Sequence, residues 1–178
     1  MSSGFEAIVW KENKIVLLDQ TQIPISETYI SYDELAPYID AIQRLVVRGA
    51  PALGVAGAYG VVLVIDEAAR KGHSAQELEH NLDLLRDARP TAVNLAWAVE
   101  KIRKHLPEGR DAVLAAAHQL ASEDKQSSTD MGNIGADWLI KKLGNKAMTL
   151  LTHCNTGSLA TTGTGTALGV IKEMHKRG

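Results

Sequence analysis

The stretch LLTHCNTGSLATTGTGTALG, residues 150–169, decides how the whole chain is interpreted. The mostly apolar residues 147–151 lead into it and residues 167–171 end it, a pattern that predicts a buried strand, a loop and a helix. From Thr152 to Thr166 the loop has six threonines, a serine, an asparagine and three glycines. Hydroxyls and open backbone N–H groups at that density let a polar ligand approach closely, so we expect the chemistry to lie in this loop.

The only cysteine of the chain, Cys154, lies in the same loop. A lone cysteine among hydroxyls and glycines is a candidate nucleophile or acid–base group. The alternative from the residues alone is a small buried hydrophobe, because free cysteine is among the most buried residue types. His153 is its neighbour, but consecutive side chains of an extended segment point to opposite sides, which favours a structural role for this histidine.

Length and charge favour a small ligand over a macromolecular one. The 178 residues carry 19 basic and 21 acidic side chains without blocks of one sign, which favours neither nucleic acid nor a membrane as partner. A single cysteine excludes an internal disulfide framework, and the first residues match neither a signal peptide nor an anchor, so we expect a cytoplasmic protein. The apolar run 50–69 includes Asp66, Glu67 and three glycines, which favours a buried helix over a membrane span.

The N-terminal part has β-type patterns followed by helical ones. Apolar runs at 7–10 and 15–18, and a third extended run through 28–30, predict a small antiparallel sheet. The residues from Ser31 to Glu34 are typical of a capping box, so a first helix is expected from there to about Val47.

Four more helices are expected before the α/β unit. They are predicted at 51–71, where glycines favour close packing, at 75–86 after a capping box, at 92–105, and at 111–143 as two helices or one sharply kinked helix. Gly144 and Asn145 form a helix stop. The predicted domains are therefore 1–144, a sheet with helices, and 145–178, the start of an α/β domain whose remainder lies outside this sequence.

Two breaks between helices carry guanidinium groups. Arg48, Gly49 and Ala50 precede a helix start, where backbone N–H groups and the helix dipole favour an anion that an arginine can bind bidentately. Arg89 lies in a later break, beside Pro90. From the residues alone, a solvated Arg48 and a turn-forming Arg89 are the commoner explanations, and phosphate binding stays open as the alternative.

Four separated motifs together closely resemble the methylthioribose-1-phosphate isomerases of methionine salvage. They are LLDQTQIP (17–24), RGAPALGVAGAYG (48–60), ARPTAVNLAWAV (88–99) and THCNTGSLATTGTGTALGVI (152–171). That family is similar to the regulatory α, β and δ subunits of the guanine-exchange factor of translation initiation. It is also similar to ribose-1,5-bisphosphate and 5-deoxyribose-1-phosphate isomerases.

The resemblance implies a fold, a partner and a set of site residues. It implies a mostly helical N-terminal domain with a small sheet, joined to a Rossmann-like domain, usually as a homodimer. It also implies that Arg48, Gly49 and Ala50 contact the substrate phosphate, that Arg89 is a second anion ligand, and that Cys154 is catalytic. The family's catalytic aspartate belongs to a later part of the Rossmann-like domain, so the chain is expected to be inactive without that missing half.

The implied reaction is the isomerisation of an aldose phosphate to a ketose phosphate. Because phosphate occupies the anomeric carbon, an acid must assist ring opening before hydrogen moves from C2 to C1, as a proton or as a hydride. No metal and no nucleotide cofactor is expected: the six histidines lack paired ligand spacing, and the glycines at 163 and 165 lack the rest of a dinucleotide fingerprint. The alternatives are an isomerase of a related sugar phosphate and a non-catalytic regulatory protein of the same fold.

Overall fold

The computed structural model describes residues 6–144 and 146–178, a small antiparallel sheet on a set of helices. The strands are β1 (Ile8–Lys11), β2 (Lys14–Leu18) and β3 (Tyr29–Tyr32). The helices are α1 (Leu35–Gln43), α2 (Ala50–Lys71), α3 (Ala75–Arg86), α4 (Val93–Arg103), α5 (Arg110–Leu143) and α6 (Ala167–Lys176), with short 3₁₀ turns at Leu106–Glu108 and Ser158–Ala160.

The sheet is the predicted meander, with β2 between β1 and β3. The β1–β2 hairpin turns at Glu12 and Asn13, which both have positive φ angles of 51° and 56°. Two left-handed residues give the turn a twist that matches the twist of the paired strands. Ile15 and Leu17 of the central strand are completely buried, so one face of the sheet packs on the helices.

Helix α2 forms the centre of the fold and packs against α1, α3, α4, α5 and the sheet. Its glycines allow this: a Cβ at Gly57 would lie 2.8 Å from the carbonyl oxygen of Leu95, and one at Gly60 would lie 2.7 Å from a methyl of Leu85. By length and composition α2 could cross a membrane, but 83% of its apolar window is buried inside the protein. The predicted buried helix is confirmed.

The start of α1 differs from the prediction. Ser31 belongs to β3, and Glu34 is the residue preceding α1, but its side chain makes no capping hydrogen bond. The carboxylate of Glu67 on α2 instead accepts the Leu35 N–H at 2.5 Å and pairs with Lys71 at 2.6 Å. The predicted capping box is wrong because the actual cap comes from 32 residues away along the chain, where local patterns carry no signal.

The end of α1 also comes earlier than expected, at Gln43 instead of near Val47. Leu45 adopts a left-handed conformation with φ 68°, and the N–H of Val46 bonds back to the carbonyl of Ala41 at 2.9 Å. This left-handed closure ends the helix while still directing Val46 and Val47 into the core.

We predict that Glu67→Gln lowers the free energy of unfolding by about 1–2 kcal/mol at pH 7, because a hydrogen bond to a charged group is stronger than one to a neutral amide. Burial alone raises the pKa of the Glu67 carboxyl, but hydrogen bonds from Lys71 and from the Leu35 N–H outweigh it and hold the pKa below its ordinary value of 4.5. This contribution is therefore present above pH 4.5 and is lost as the pH falls through the lowered pKa.

Urea unfolding of both proteins between pH 3 and pH 7 measures this difference. Glu34→Gln is the matched control, because Glu34 reaches the same Lys71 at 3.6 Å but has an exposed side chain. We expect the control to change stability by less than about 0.5 kcal/mol. A Glu67→Gln deficit that persists unchanged at pH 3 would contradict the assigned role of the charge.

The capping box that opens α3 is confirmed: the Ser74 hydroxyl accepts the Glu77 N–H, and the Glu77 carboxylate accepts the Ser74 N–H.

Helix α5 is one continuous helix of 34 residues, so the expectation of two helices is wrong. Its glycines accommodate α6 instead of breaking the helix. A Cβ at Gly132 would lie 3.3 Å from the carbonyl oxygen of Gly169, and one at Gly135 would lie 2.7 Å from a methyl of Val170.

The predicted buried strand at 147–151 is not formed. Leu150 is partly exposed and Leu151 is 88% exposed. Within the described residues the only sheet is that of β1 to β3, so this segment has no neighbouring strand with which to exchange hydrogen bonds. At the predicted domain boundary Gly144 ends α5 with φ 80°, and Asn145 lies outside the described residues.

Candidate functional site

Four predicted site residues, Arg48, Gly49, Ala50 and Arg89, line one cavity of about 490 Å³. The remaining lining residues are Leu45, Leu53, Thr91, Ala92, Val93 and Asn94. The lining therefore has two guanidinium groups and no carboxylate, which makes the cavity electropositive. Its size suits a small anionic molecule.

The first helical turn of α2 faces this cavity. Gly49 precedes α2 with φ 95°, and no side chain in the described part of the protein caps the helix there. The first N–H groups of the 22-residue helix are therefore left to an external acceptor, and the helix dipole favours a negative one. A phosphate group satisfies both conditions.

The local backbone positions each arginine. The left-handed Leu45 aims its carbonyl oxygen at Arg48, whose Nε donates to it at 3.4 Å. A non-glycine residue in this conformation stores about 1–3 kcal/mol of strain, and here it forms part of the cavity wall. Arg89 is half-buried in the turn before α4, where its carbonyl oxygen accepts the Ala92 N–H at 2.9 Å.

The hydroxyl-rich loop lies directly against this turn. A Cβ at Gly49 would lie 2.5 Å from the Cα of Ala160, so the backbones of the two segments touch. The loop is fixed at three more points. The Leu159 carbonyl accepts from Gln20 Nε2 at 2.9 Å, the Thr162 N–H and hydroxyl both donate to Asp124 at 2.6 Å, and the Thr166 N–H bonds to Thr156 at 2.9 Å.

Cys154 lies at the entrance of this loop and does not line the cavity. It is exposed and left-handed, with φ 64°, and follows the segment that failed to form a strand. The structure therefore brings together the four predicted anion ligands and leaves the predicted catalytic thiol outside their cavity. His153 beside it is exposed as well.

The described residues contain no cluster of potential metal ligands, and the glycine-rich segment packs on its own backbone. In the range 6–144 and 146–178, no three His, Cys, Asp or Glu side chains lie close enough to hold a metal ion. Gly165, with φ 99°, packs on its own loop, because a Cβ there would lie 2.5 Å from the carbonyl oxygen of Thr156. The loop interior is thus filled by protein backbone.

Reasoning from the sequence missed three residues of this arrangement. Gln20 lies in one of the four motifs, but as a polar residue after a strand it gave no local signal of a long-range contact. Asp124 lies within a helical pattern, where an acidic residue normally faces solvent. Leu45 was assigned to a helix, and only the backbone reveals its left-handed conformation.

The fold and the cavity define the class: a mixed helical protein with a small antiparallel sheet and an electropositive pocket at the start of its central helix. The chain belongs to the Initiation factor 2 subunit family, whose sequence pattern matches residues 46–178.

Several relatives are methylthioribose-1-phosphate isomerases. The chain is 43% identical over 180 residues to that of Pseudomonas syringae pv. tomato, covering 97% of this chain and 50% of the relative. It is 38% identical over 185 residues to that of Geobacter metallireducens, covering 98% of this chain and 52% of the relative. The chain thus spans about half the length of these curated relatives.

Two solved structures are similar over almost the entire chain. The 5-methylthioribose 1-phosphate isomerase of Pyrococcus horikoshii OT3 superposes with a TM-score of 0.78 at 29% identity, covering 97% of this chain and 49% of that one. The translation initiation factor eIF-2B subunit delta of A. fulgidus also gives 0.78, at 37% identity, covering 97% and 52%. Because the fold is shared by proteins with both names, the activity has to be argued from the site.

Proposed function

We propose that this chain is the N-terminal half of an aldose–ketose isomerase that converts 5-methylthioribose 1-phosphate to 5-methylthioribulose 1-phosphate in methionine salvage. The observation that supports it most is the single cavity lined by Arg48, Arg89 and the uncapped start of α2. The names of the relatives indicate which sugar phosphate such a cavity would take. We expect the protein to act in the cytoplasm and without a metal or nucleotide cofactor.

In this proposal the cavity binds the phosphate on the anomeric carbon. The N–H groups at Gly49 and Ala50 face the phosphate oxygens, and the two arginines neutralise its charge. Fixing the phosphate also fixes C1 and C2 of the sugar, so that an acid can protonate the ring oxygen and hydrogen can then move between these carbons.

Cys154 is proposed as one of the two groups that carry out this transfer, and an aspartate of the second half as the other. The exposed leucines at 150 and 151 support a role for that second half, because a strand at 147–151 needs neighbours to satisfy its backbone and cover its side chains. We propose that a Rossmann-like domain supplies those neighbours and directs Cys154 towards the cavity. The assembly is expected to be a homodimer, and residues 1–178 alone are expected to be inactive.

Comparison of three substrates tests this function. The complete protein, meaning this chain with the second half that its relatives have, is supplied with 5-methylthioribose 1-phosphate, 5-deoxyribose 1-phosphate or ribose 1,5-bisphosphate. We expect the largest kcat/KM for the first. A larger kcat/KM for either of the other two compounds would mean that the proposed substrate is wrong. Binding without any turnover would favour a non-catalytic regulatory protein. The similarity to the initiation factor subunit is the observation that supports this second candidate.

We predict that Arg48→Met raises KM for the sugar phosphate at least about 10-fold, because a charge-assisted hydrogen bond to phosphate contributes about 1.5–3 kcal/mol. Arg44→Met is the matched control: Arg44 lies four residues earlier, pairs with Asp40 at 2.6 Å and does not line the cavity. Its KM is expected to stay within about twofold of the unmodified protein. Equal KM values for the two variants would contradict the proposal that Arg48 binds the phosphate.

A further inference from the structure

We propose that Gln20 is a positioning residue that holds the loop following Cys154 against the proposed phosphate-binding turn, residues 46–50. The proposal rests on the proposed function, since it assigns Gln20 a part in the same reaction. Gln20 is 7% exposed and lies between two segments that are far apart in sequence. Its backbone N–H donates to the carbonyl of Val46 at 3.0 Å, and its side-chain Nε2 donates to the carbonyl of Leu159 at 2.9 Å.

The two partners of Gln20 belong to the two halves of the proposed site. Val46 lies two residues before Arg48, at the start of the phosphate-binding turn. Leu159 precedes Ala160, the residue whose backbone touches Gly49. One buried residue therefore links both segments, through its backbone N–H on one side and its side-chain amide on the other.

Asp19 holds together the turn that follows Gln20. Its carboxylate accepts the Thr21 N–H at 2.9 Å, the Thr21 hydroxyl at 2.6 Å and the Gln22 side-chain amide at 2.8 Å. The neighbours of Gln20 are thus bound within their own turn, and Gln20 alone reaches the loop among the contacts of this turn in the described residues.

Loss of the Gln20 side-chain bond should affect the loop more than the phosphate-binding turn. Without it, Leu159 presents an unpaired carbonyl beside the tightly packed Ala160, and the loop depends on Asp124 and Gly49 for its position. The turn at Arg48 keeps its own support, because the Gln20 backbone N–H still bonds to Val46. A thiol displaced by about 1 Å can cost up to about 100-fold in rate.

Gln20→Met in the complete protein tests this role, since methionine keeps the length of the side chain but has no donor. We expect kcat to fall about 10- to 100-fold while KM stays within about twofold. Gln22→Met is the matched control, because it removes a side-chain amide that donates to Asp19 within the turn and does not contact the loop. The control is expected to leave both constants within about twofold.

Hydrogen exchange at residues 157–163 gives a readout that does not require activity. We expect exchange there to become at least about 10-fold faster in Gln20→Met and to stay unchanged in Gln22→Met, with α2 equally protected in both. Equal exchange of 157–163 in the two variants, or a rise in KM with unchanged kcat, would overturn the positioning role. Absence of turnover in the unmodified protein would overturn the proposed function instead. If Gln20→Met does not fold, Gln20→Asn, which is one methylene shorter, is measured in the same way.

Discussion

Replacing Cys154 by alanine is expected to lower the turnover of the complete protein at least about 100-fold, the lower range for loss of an acid–base group. Cys154 is the only cysteine of the chain and lies at the entrance of a loop that is hydrogen-bonded to α5 and packs against the proposed phosphate-binding turn. Because the proposed phosphate ligands come from other segments, KM should change less than kcat.

His153→Ala is the matched control for this variant. The two residues are adjacent and both exposed, so each substitution disturbs the same backbone. We expect the histidine variant to retain turnover within about twofold. Unchanged turnover in Cys154→Ala, or an equal loss in both variants, would reject the role assigned to the thiol.

The pH dependence of kcat then separates the two roles that the thiol could have. As a base, the Cys154 thiolate would accept a proton from the sugar; as an acid, the thiol would donate one. A limb of the pH profile that disappears in Cys154→Ser identifies the thiol as the titrating group. A rate that rises with pH along that limb indicates a base, and a rate that falls indicates an acid.

Gly49→Ala is expected to have the second large effect, lowering the free energy of unfolding by about 2–5 kcal/mol. The new Cβ would lie 2.5 Å from the Cα of Ala160 and 2.7 Å from its carbonyl oxygen, so backbone has to move. The φ of 95° adds strain for any residue with a side chain. Because the turn and the loop separate, kcat/KM should also fall about 100-fold or more.

Gly109→Ala is a closely matched control, since Gly109 also precedes a helix and has φ 94°, but a Cβ there meets nothing within 4 Å. Gly109→Ala therefore has only the conformational cost of its backbone angles, about 1–3 kcal/mol. The difference between the free energies of unfolding of the two variants, measured in urea, therefore gives the contribution of the contact between residue 49 and Ala160. Equal losses of stability would mean that this contact is not important.

The parts of the fold that the sequence predicts correctly are those with local signals. The β1–β2 hairpin follows from two apolar runs around a polar turn, and the start of α3 follows from Ser74 and Glu77 three residues apart. The burial of α2 follows from its apolar, glycine-containing composition.

The wrong predictions share a physical cause, which is dependence on distant residues. Helix α1 is capped by Glu67, 32 residues away, and not by its own preceding serine. The pattern at 111–143 predicted two helices or one sharply kinked helix, but it forms one helix in which the glycines at 132 and 135 make room for α6. The strand at 147–151 has the right composition, yet a parallel strand forms only beside another strand.

The candidate site divides in the same way. An arginine before a helix start gives a weak local signal, and the family resemblance, more than physical reasoning from the residues, selected Arg48 and Arg89 as a pair. That Arg48 and Arg89 line one cavity could not be predicted from the sequence, because only the packing of α4 against α2 brings the two turns together. Gln20 was missed because its partner lies 139 residues further along the chain.

The central claim is that the two arginines and the thiol surround one sugar phosphate in the complete protein. A crystal structure of the Cys154→Ala variant of that protein, soaked with 5-methylthioribose 1-phosphate, tests it most directly. We expect the phosphate between Arg48 and Arg89 at the start of α2, and the alanine methyl within about 4 Å of C1 or C2 of the sugar, where a thiol would be in reach for proton transfer. A phosphate bound elsewhere, or residue 154 outside the cavity as it is in the present structure, would contradict the account.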